Sequence, residues 1–377
     1  MNRDQLQALI RTSLREQGFR VRNKRIIPPD LSQKDKIREL HSTAVAHRQE
    51  RSKDGLFRHE ARLLKRIASG TEVVPCKIKP RLVEVKAHSE DELLFRYIGL
   101  HWAIPVSSGY GRRLRFLVID EQNDKVIGLI GLGDPVFNLA VRDEWVGWNM
   151  EARRGRLCNV MDAFILGAVP PYSQLLCGKL VALLAASNEV RHAFMRKYHA
   201  KQSVIRRKPL DARLALITTL SALGRSSVYN RLRFSDELVF RSLGFSEGSG
   251  EFHFSNGLYH DIYSYANRYC DKTAKNRRWG TGFRNKREVI RKCLAKVDLP
   301  ADFLYHGIRR EVFAVPLARN TREFLRGEHS KLMWFDYSAE HLFEWFRERW
   351  LLPRAAKDPA YLQFCPDSYN LWASEVA

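Results

Sequence analysis

Hydrophobic positions recur at helical spacing over the first 70 residues and at strand spacing soon after. Leu6, Leu9, Ile10 and Leu14 fall at i, i+3, i+4 and i+8, one face of a helix. Pro28-Pro29-Asp30 interrupts the chain, and Asp30 or Ser32 can cap a second helix through Ile37, Leu40 and Val45. A third helical stretch carries Leu56, Leu63, Leu64 and Ile67 and stops at Gly70. Residues 81–86 alternate apolar and polar, a strand pattern, and 90–102 is amphipathic at helical spacing. Two apolar runs, 114–119 and 126–132, flank the polar turn 120–125 and predict a hairpin. Trp145-Val-Gly-Trp148 reads as the start of a further strand.

A β-rich run, 160–168, leads through Val169-Pro-Pro-Tyr-Ser173 into a long helix predicted from Gln174 to about Met195. A basic link precedes a second β-rich run, 214–220, and 226–232 is expected to form a short helix. Tyr259, Tyr263, Tyr265 and Tyr269 come before a dense basic stretch. In the aromatic, acidic tail, Phe343, Phe346 and Trp350 form a stripe expected to pack on the chain or on a partner. These changes divide the chain into a basic helical unit (1–75), an α/β core (80–255), an aromatic and basic segment (256–300) and a helical C-terminal extension (301–377).

Charge changes the picture. The chain carries 64 Lys+Arg against 42 Asp+Glu, a net charge of +22, with 45% hydrophobic residues. That apolar content supports a buried core and excludes wholesale disorder. The basic excess implies a polyanionic partner, nucleic acid before membrane. It is clustered: residues 1–66 hold 17 Lys/Arg and 8 Asp/Glu, and residues 268–297 hold 11 and 2. No apolar run approaches the roughly 18–20 residues of a membrane span, and the N-terminus has no apolar leader. Six cysteines lie at least 19 residues apart, so neither a zinc site nor a disulfide framework is expected. A cytoplasmic protein with reduced thiols and no membrane partner is the expectation.

Several groups are candidates for chemistry. Asp134, Asp143 and Glu144 lie together and can hold Mg²⁺ for phosphodiester hydrolysis, or serve as caps and ion pairs. Glu84-Val-Lys86 matches half of a restriction-type nuclease motif. Arg153, Arg154 and Arg156 can grip phosphate bidentately, or line a solvated loop. Lys275, Arg277, Arg278, Trp279, Arg284, Lys286 and Arg287 interleave cations with an aromatic ring, near Gly280 and Gly282. Bases can stack on such rings while cations follow the backbone, which suits single-stranded or distorted DNA. The competing reading has the tyrosines closing a core and the cations facing water. No Walker A, nucleophile-elbow or kinase signature occurs, so an energy-consuming step needs a partner.

The order hairpin, strand, turn, helix, strand resembles the core of the GNAT acyltransferases. That resemblance implies a GNAT-like mixed β-sheet flanked by helices, and a loop and helix N-terminus that cradle a pyrophosphate. The matching loop is Gln174-Leu-Leu-Cys-Gly-Lys179, which puts Gln174 and Gly178 at cofactor positions. Cys177 and Lys179 stand where the family has small residues, which narrows the backbone's approach to a phosphate, and no cofactor is assigned. Tyr229 stands where such enzymes carry a general-acid tyrosine.

Gly109-Tyr-Gly-Arg-Arg-Leu-Arg-Phe116, Ile127-Gly-Leu-Ile-Gly-Leu-Gly-Asp-Pro-Val-Phe-Asn138, Arg142-Asp-Glu-Trp-Val-Gly-Trp148 and Arg154-Gly-Arg-Leu-Cys-Asn159 resemble the Druantia protein A family. That resemblance implies a role in bacterial anti-phage defence beside a helicase-like partner, with DNA as the target. The expectation is therefore an α/β protein with a GNAT-like core, a basic helical N-terminal unit and a helical C-terminal extension. Its expected function is DNA binding within a defence system. The alternative is an enzyme, either an acyltransferase-like modifier of nucleic acid or a metal-dependent nuclease.

Overall fold

The computed structural model describes residues 1–106, 111–202, 207, 209–272, 279 and 283–372. Helix α1 (Arg3–Glu16) starts with a reciprocal cap: the Gln5 N–H donates to the Asn2 side chain and the Asn2 N–H to the Gln5 side chain, both at 2.9 Å. A tight hairpin of β1 (Arg20–Arg22) and β2 (Arg25–Ile27) follows, then α2 (Lys34–Leu56) and α3 (Glu60–Leu64). The three helical stretches stand where the periodicity places them. The hairpin between them has no counterpart in the apolar pattern.

The centre of the molecule is built from β3 (Pro80–Glu84), α4 (Glu90–Gly99), β4 (Arg113–Asp120), β5 (Lys125–Gly133), α5 (Ala140–Val146), α6 (Met150–Arg156) and β6 (Val160–Ala168). It continues with α7 (Cys177–Ala185), α8 (Asn188–Tyr198), β7 (Leu216–Leu220), the two-residue strands β8 (Arg233–Phe234) and β9 (Glu237–Leu238), and β10 (Arg241–Phe245). Then come α9 (Leu258–Tyr269), α10 (Phe283–Lys296), β11 (Glu311–Pro316), α11 (Thr321–Arg326), α12 (Ala339–Phe346) and α13 (Leu352–Lys357). Seven strands form one mixed sheet in the order β10-β11-β7-β6-β5-β4-β3. Every neighbouring pair is antiparallel except β6 and β7, which run parallel.

Both faces of the sheet are covered, which explains why β4 and β5 read as continuous apolar runs. Leu114, Phe116 and Val118 share a core with Leu180, Leu184 and Phe194 of α7 and α8. Leu117 and Ile119, on alternate positions, pack with Leu94 and Ile98 of α4 and with Leu63, Tyr369 and Trp372. Glu60 is buried between these parts; it accepts the Tyr97 hydroxyl at 2.8 Å and the Leu371 N–H at 2.7 Å, which pins the C-terminal segment. A second core joins Leu6, Ile10 and Leu14 of α1, Ile26 of β2 and Leu40 of α2 to Ile262, Ala266, Ile290, Leu294 and Phe303. The packing thus crosses the divisions drawn near residues 75 and 256.

Three local expectations are corrected. Residues 145–148 are not a strand: they end α5, where Gly147, at φ 74°, gives its N–H to the Asp143 carbonyl. The helix expected over 174–195 is two helices, because Ser187 adopts an extended conformation and caps α8, accepting the Val190 N–H at 3.4 Å. Residues 226–232 form turns: the Ser226 hydroxyl accepts the Val228 and Tyr229 N–H groups as a helix cap would, but Arg231, at φ 61°, ends the segment before a helix can extend. In the tail, Phe343 and Phe346 are buried against the sheet core, as the stripe predicts.

Candidate functional site

The ends of β5, β6 and β7 carry a dense network of charged side chains. Gly133 closes β5, and Asp134 directly after it accepts the Arg112 Nε–H at 2.6 Å and the Arg112 N–H at 2.9 Å. The remaining guanidinium nitrogens of Arg112 donate to the Cys158 and Val160 carbonyls at 2.5 and 3.2 Å. Gly111, at φ 69°, lets the chain pass this close, since any Cβ there would meet the Asp134 carboxylate. Arg142 on α5 is fully buried and donates to Asp143, to the Val136 carbonyl at 2.8 Å and to the Phe137 carbonyl at 3.1 Å. Asp143 also accepts Arg153 at 3.0 Å, and Arg153 lies over the Phe137 ring. Asp162 on β6 accepts the Thr218 hydroxyl and the Val136 N–H. Burial pushes its carboxyl above the usual range, against the pull of Thr218 and Arg142.

Of the two readings of these carboxylates, cation site or caps and ion pairs, the structure shows ion pairs for Asp134 and Asp143. Asp134 belongs to Arg112, Asp143 to Arg142 and Arg153, and Glu144 stands exposed apart from them. Among the described residues, no group of three His, Cys, Asp or Glu side chains is placed to hold a metal ion. Arg156 is taken by Asp211 at 2.9 Å, which also holds Arg213, so of the three clustered arginines only Arg154 is exposed. Glu84 accepts Lys197 at 3.0 Å, which removes it from a nuclease-like pair with Lys86. Sequence reasoning missed the roles of Arg112, Asp162 and Asp211. Asp162 had a signal, a charge inside an otherwise apolar β-rich run.

The second candidate lies where β6 and β7 separate. Their pairing covers residues 160–163 and 216–219 and then stops. Beyond it the Tyr229 hydroxyl donates to the Leu166 carbonyl at 3.4 Å, and its ring stacks on Phe240 at 4.8 Å and meets Phe313 edge-on at 5.4 Å. Burial pushes the Tyr229 hydroxyl well above the usual range. Lys179 donates to the Val228 carbonyl at 3.4 Å and lies over the Trp350 ring, and Val228 also sits beside Gly178. The Gln174 carbonyl accepts Arg354. Gln174, Gly178 and Tyr229 thus face this chain's own turn and tail. We expect calorimetry with acetyl-CoA to give no dissociation constant near 1 μM, about −8 kcal/mol; heat at that affinity would mean that the turn yields to the cofactor.

The basic segment is partly open to view. Lys275, Arg277 and Arg278 lie outside the described residues, as does the side chain of Arg284. Trp279 is 8% exposed and sits in the core shared by α9 and α10, with the Lys292 amine 5.4 Å from its ring, so the expected base-stacking platform is corrected to a core residue. Lys286 donates to the Ser255 hydroxyl at 2.6 Å and lies over Tyr259, and Arg287 lies over Tyr305. Tyr265 is buried, whereas Tyr263 and Tyr269 are exposed. Exposed cations cover the surroundings: Arg11 and Arg15 on α1, Lys34, Lys36 and Arg38 on α2, Arg268 on α9 and Lys296 on α10.

The family model described as Druantia protein DruA matches residues 31–327, which take in the whole charged network and the Tyr229 turn. The chain belongs to the Druantia protein DruA family. It is 40% identical over 357 residues to Druantia protein DruA of Escherichia coli (strain UMEA 4076-1), covering 94% of this chain and 88% of that protein. DruA is a component of the Druantia anti-phage defence system. No solved structure matches the chain. No helix among the described residues is long and apolar enough to cross a membrane.

Proposed function

We propose that the protein is a DNA-binding component of the Druantia defence system, acting in the cytoplasm and gripping DNA through clustered Lys and Arg. One observation carries this reading. The two basic stretches, 1–66 and 268–297, are far apart in sequence, yet α1, β2 and α2 share one core with α9 and α10. Their unmatched charge therefore collects on one body, where it repels itself unless a polyanion offsets it. Arg154, Lys275, Arg277, Arg278, Arg284, Lys286 and Arg287 are the proposed contacts, while Arg153 and Arg156 are engaged by Asp143 and Asp211. An energy-consuming step falls to another protein of the system, such as a helicase-like partner.

We read the sheet as GNAT-like, because its strand order and its single parallel pair spanned by α7 and α8 follow that fold. This favours, as a second reading, descent from an acyl-transferring enzyme. Cys177 and Lys179 in the first turn of α7, with Lys179 bonded to the Val228 carbonyl, argue against acyl-CoA binding there.

The test is fluorescence anisotropy with labelled duplex and single-stranded DNA at several salt concentrations. We expect log affinity to fall steeply with log salt, and R277Q/R278Q/R287Q to flatten the slope by about 2–3 units, since each phosphate contact adds roughly 0.7–0.9. An unchanged slope would move the interface away from the 268–297 segment. No binding at low salt would overturn the function.

A further inference from the structure

The hairpin of β1 and β2 lies ahead of the segment that the family model matches. Its register pairs Arg20 with Ile27, Val21 with Ile26 and Arg22 with Arg25. Side chains alternate across a strand, so Arg20, Arg22, Arg25 and Ile27 share one face while Val21 and Ile26 share the other. Ile26 is buried in the α1/α9/α10 core and anchors the ribbon; every residue from 20 to 25 is exposed.

Three features of this ribbon work against the fold's own stability. Arg22 and Arg25 stand directly opposite each other, a destabilising like-charge pair. Only Arg25 finds an acid, Asp302 at 3.4 Å, in an exposed contact; Arg20, Arg22 and Lys24 have none among the described residues. The two turn residues, Asn23 and Lys24, have φ of 49° and 61°, the left-handed pair that a two-residue hairpin requires. Glycine takes the second position without strain, yet a lysine holds it, which places a fourth cation at the tip.

We propose that this hairpin is a ribbon that enters the major groove of double-helical DNA, with its arginine face against phosphates and base edges. The proposal rests on the DNA-binding reading above and narrows it to duplex at this element. A two-stranded ribbon fits the roughly 12 Å major groove of B-DNA, and arginine pairs bidentately with guanine or with phosphate. The ribbon carries no aromatic side chain, so it offers unstacked bases no platform. The major groove of an RNA duplex is too narrow for it.

The experiment uses the full chain and anisotropy with a labelled mixed-sequence DNA duplex, a single strand of the same length and an RNA duplex. R20Q/R22Q/R25Q is expected to lose roughly thirtyfold in duplex DNA affinity and about 2–3 units of salt slope, with single-strand affinity unchanged within twofold. Thermal melts establish that the variant is folded. K24G supplies a second reading: it relieves the left-handed turn, so the melting temperature rises while duplex affinity drops roughly three- to tenfold. A triple variant that binds duplex like the parent, or that loses duplex and single strand equally, overturns the ribbon. An unchanged affinity in K24G removes the tip from the interface. If R277Q/R278Q/R287Q loses binding while the hairpin variant keeps it, the DNA-binding reading stands and the ribbon fails; a parent that binds no nucleic acid overturns both.

Discussion

Lowering the pH from 7.0 to 5.5 will destabilise the folded protein, by about 4 kcal/mol from three histidines alone. His41, His253 and His306 are buried around Phe252, with His253 and His306 5.7 Å apart and Arg310 donating to His41 at 3.3 Å. Burial is the first cause of their shifts, which push His41 and His306 down to about 3 and His253 to about 4. The folded values lie below the ordinary value of about 6.5, so the unfolded chain takes up protons first. Their contribution is complete above pH 6.5 and is lost as pH falls, at about 1.4 kcal/mol per unit for each ring. Burial pushes the Glu251 and Asp162 carboxyls upward, an effect of opposite sign to that of the histidines. Urea titrations at the two pH values read the net change. In H306Q the loss over the same range should shrink by about 1.3 kcal/mol. A parent equally stable at both pH values would mean that these rings reach solvent.

Replacing Arg142 by methionine should cost about 3–5 kcal/mol, the range for removing one partner of a buried pair. The change takes one of two guanidinium partners from Asp143 and leaves the carbonyls of Val136 and Phe137 without their donor. Arg153 still neutralises Asp143, but it approaches from the side of Phe137 and reaches neither carbonyl. Chemical denaturation should show a lower midpoint at an unchanged slope. A loss below about 1 kcal/mol would mean that water replaces the guanidinium and that the 134–139 loop is less fixed than its hydrogen bonds imply.

What was legible in the sequence depended on range. The β4–β5 hairpin was readable because two apolar runs and the turn at Asp120 all lie within twenty residues and agree with one another. Trp145 and Trp148 misled because two large apolar residues around a valine imitate a strand; Gly147, a helix-ending glycine, was the contrary signal. The helix break at Ser187 was hidden by apolar spacing that continues across it, although serine is a favoured cap. The candidate carboxylates were found by type, but the partner of Asp134 was not, because Arg112 and Asp134 are joined only by strand register. Trp279 was judged by its cationic neighbours, whereas its burial depends on helices distant in sequence.

The core that joins α1 to α9 and α10 also sets a timetable for synthesis. Leu6, Ile10 and Leu14 leave the ribosome well before the α9 and α10 residues that bury them, which follow about 240 positions later. At roughly 5–20 residues per second, the apolar stripe of α1 stays uncovered for on the order of 12–50 s. During that interval the sheet can assemble from contacts that do not need α1, while α1 offers a sticky helix to chaperones or to other chains. Closing the molecule is then a late, long-range event, so yield in the cell should respond to translation speed and chaperone supply more than to the strength of any single strand pair.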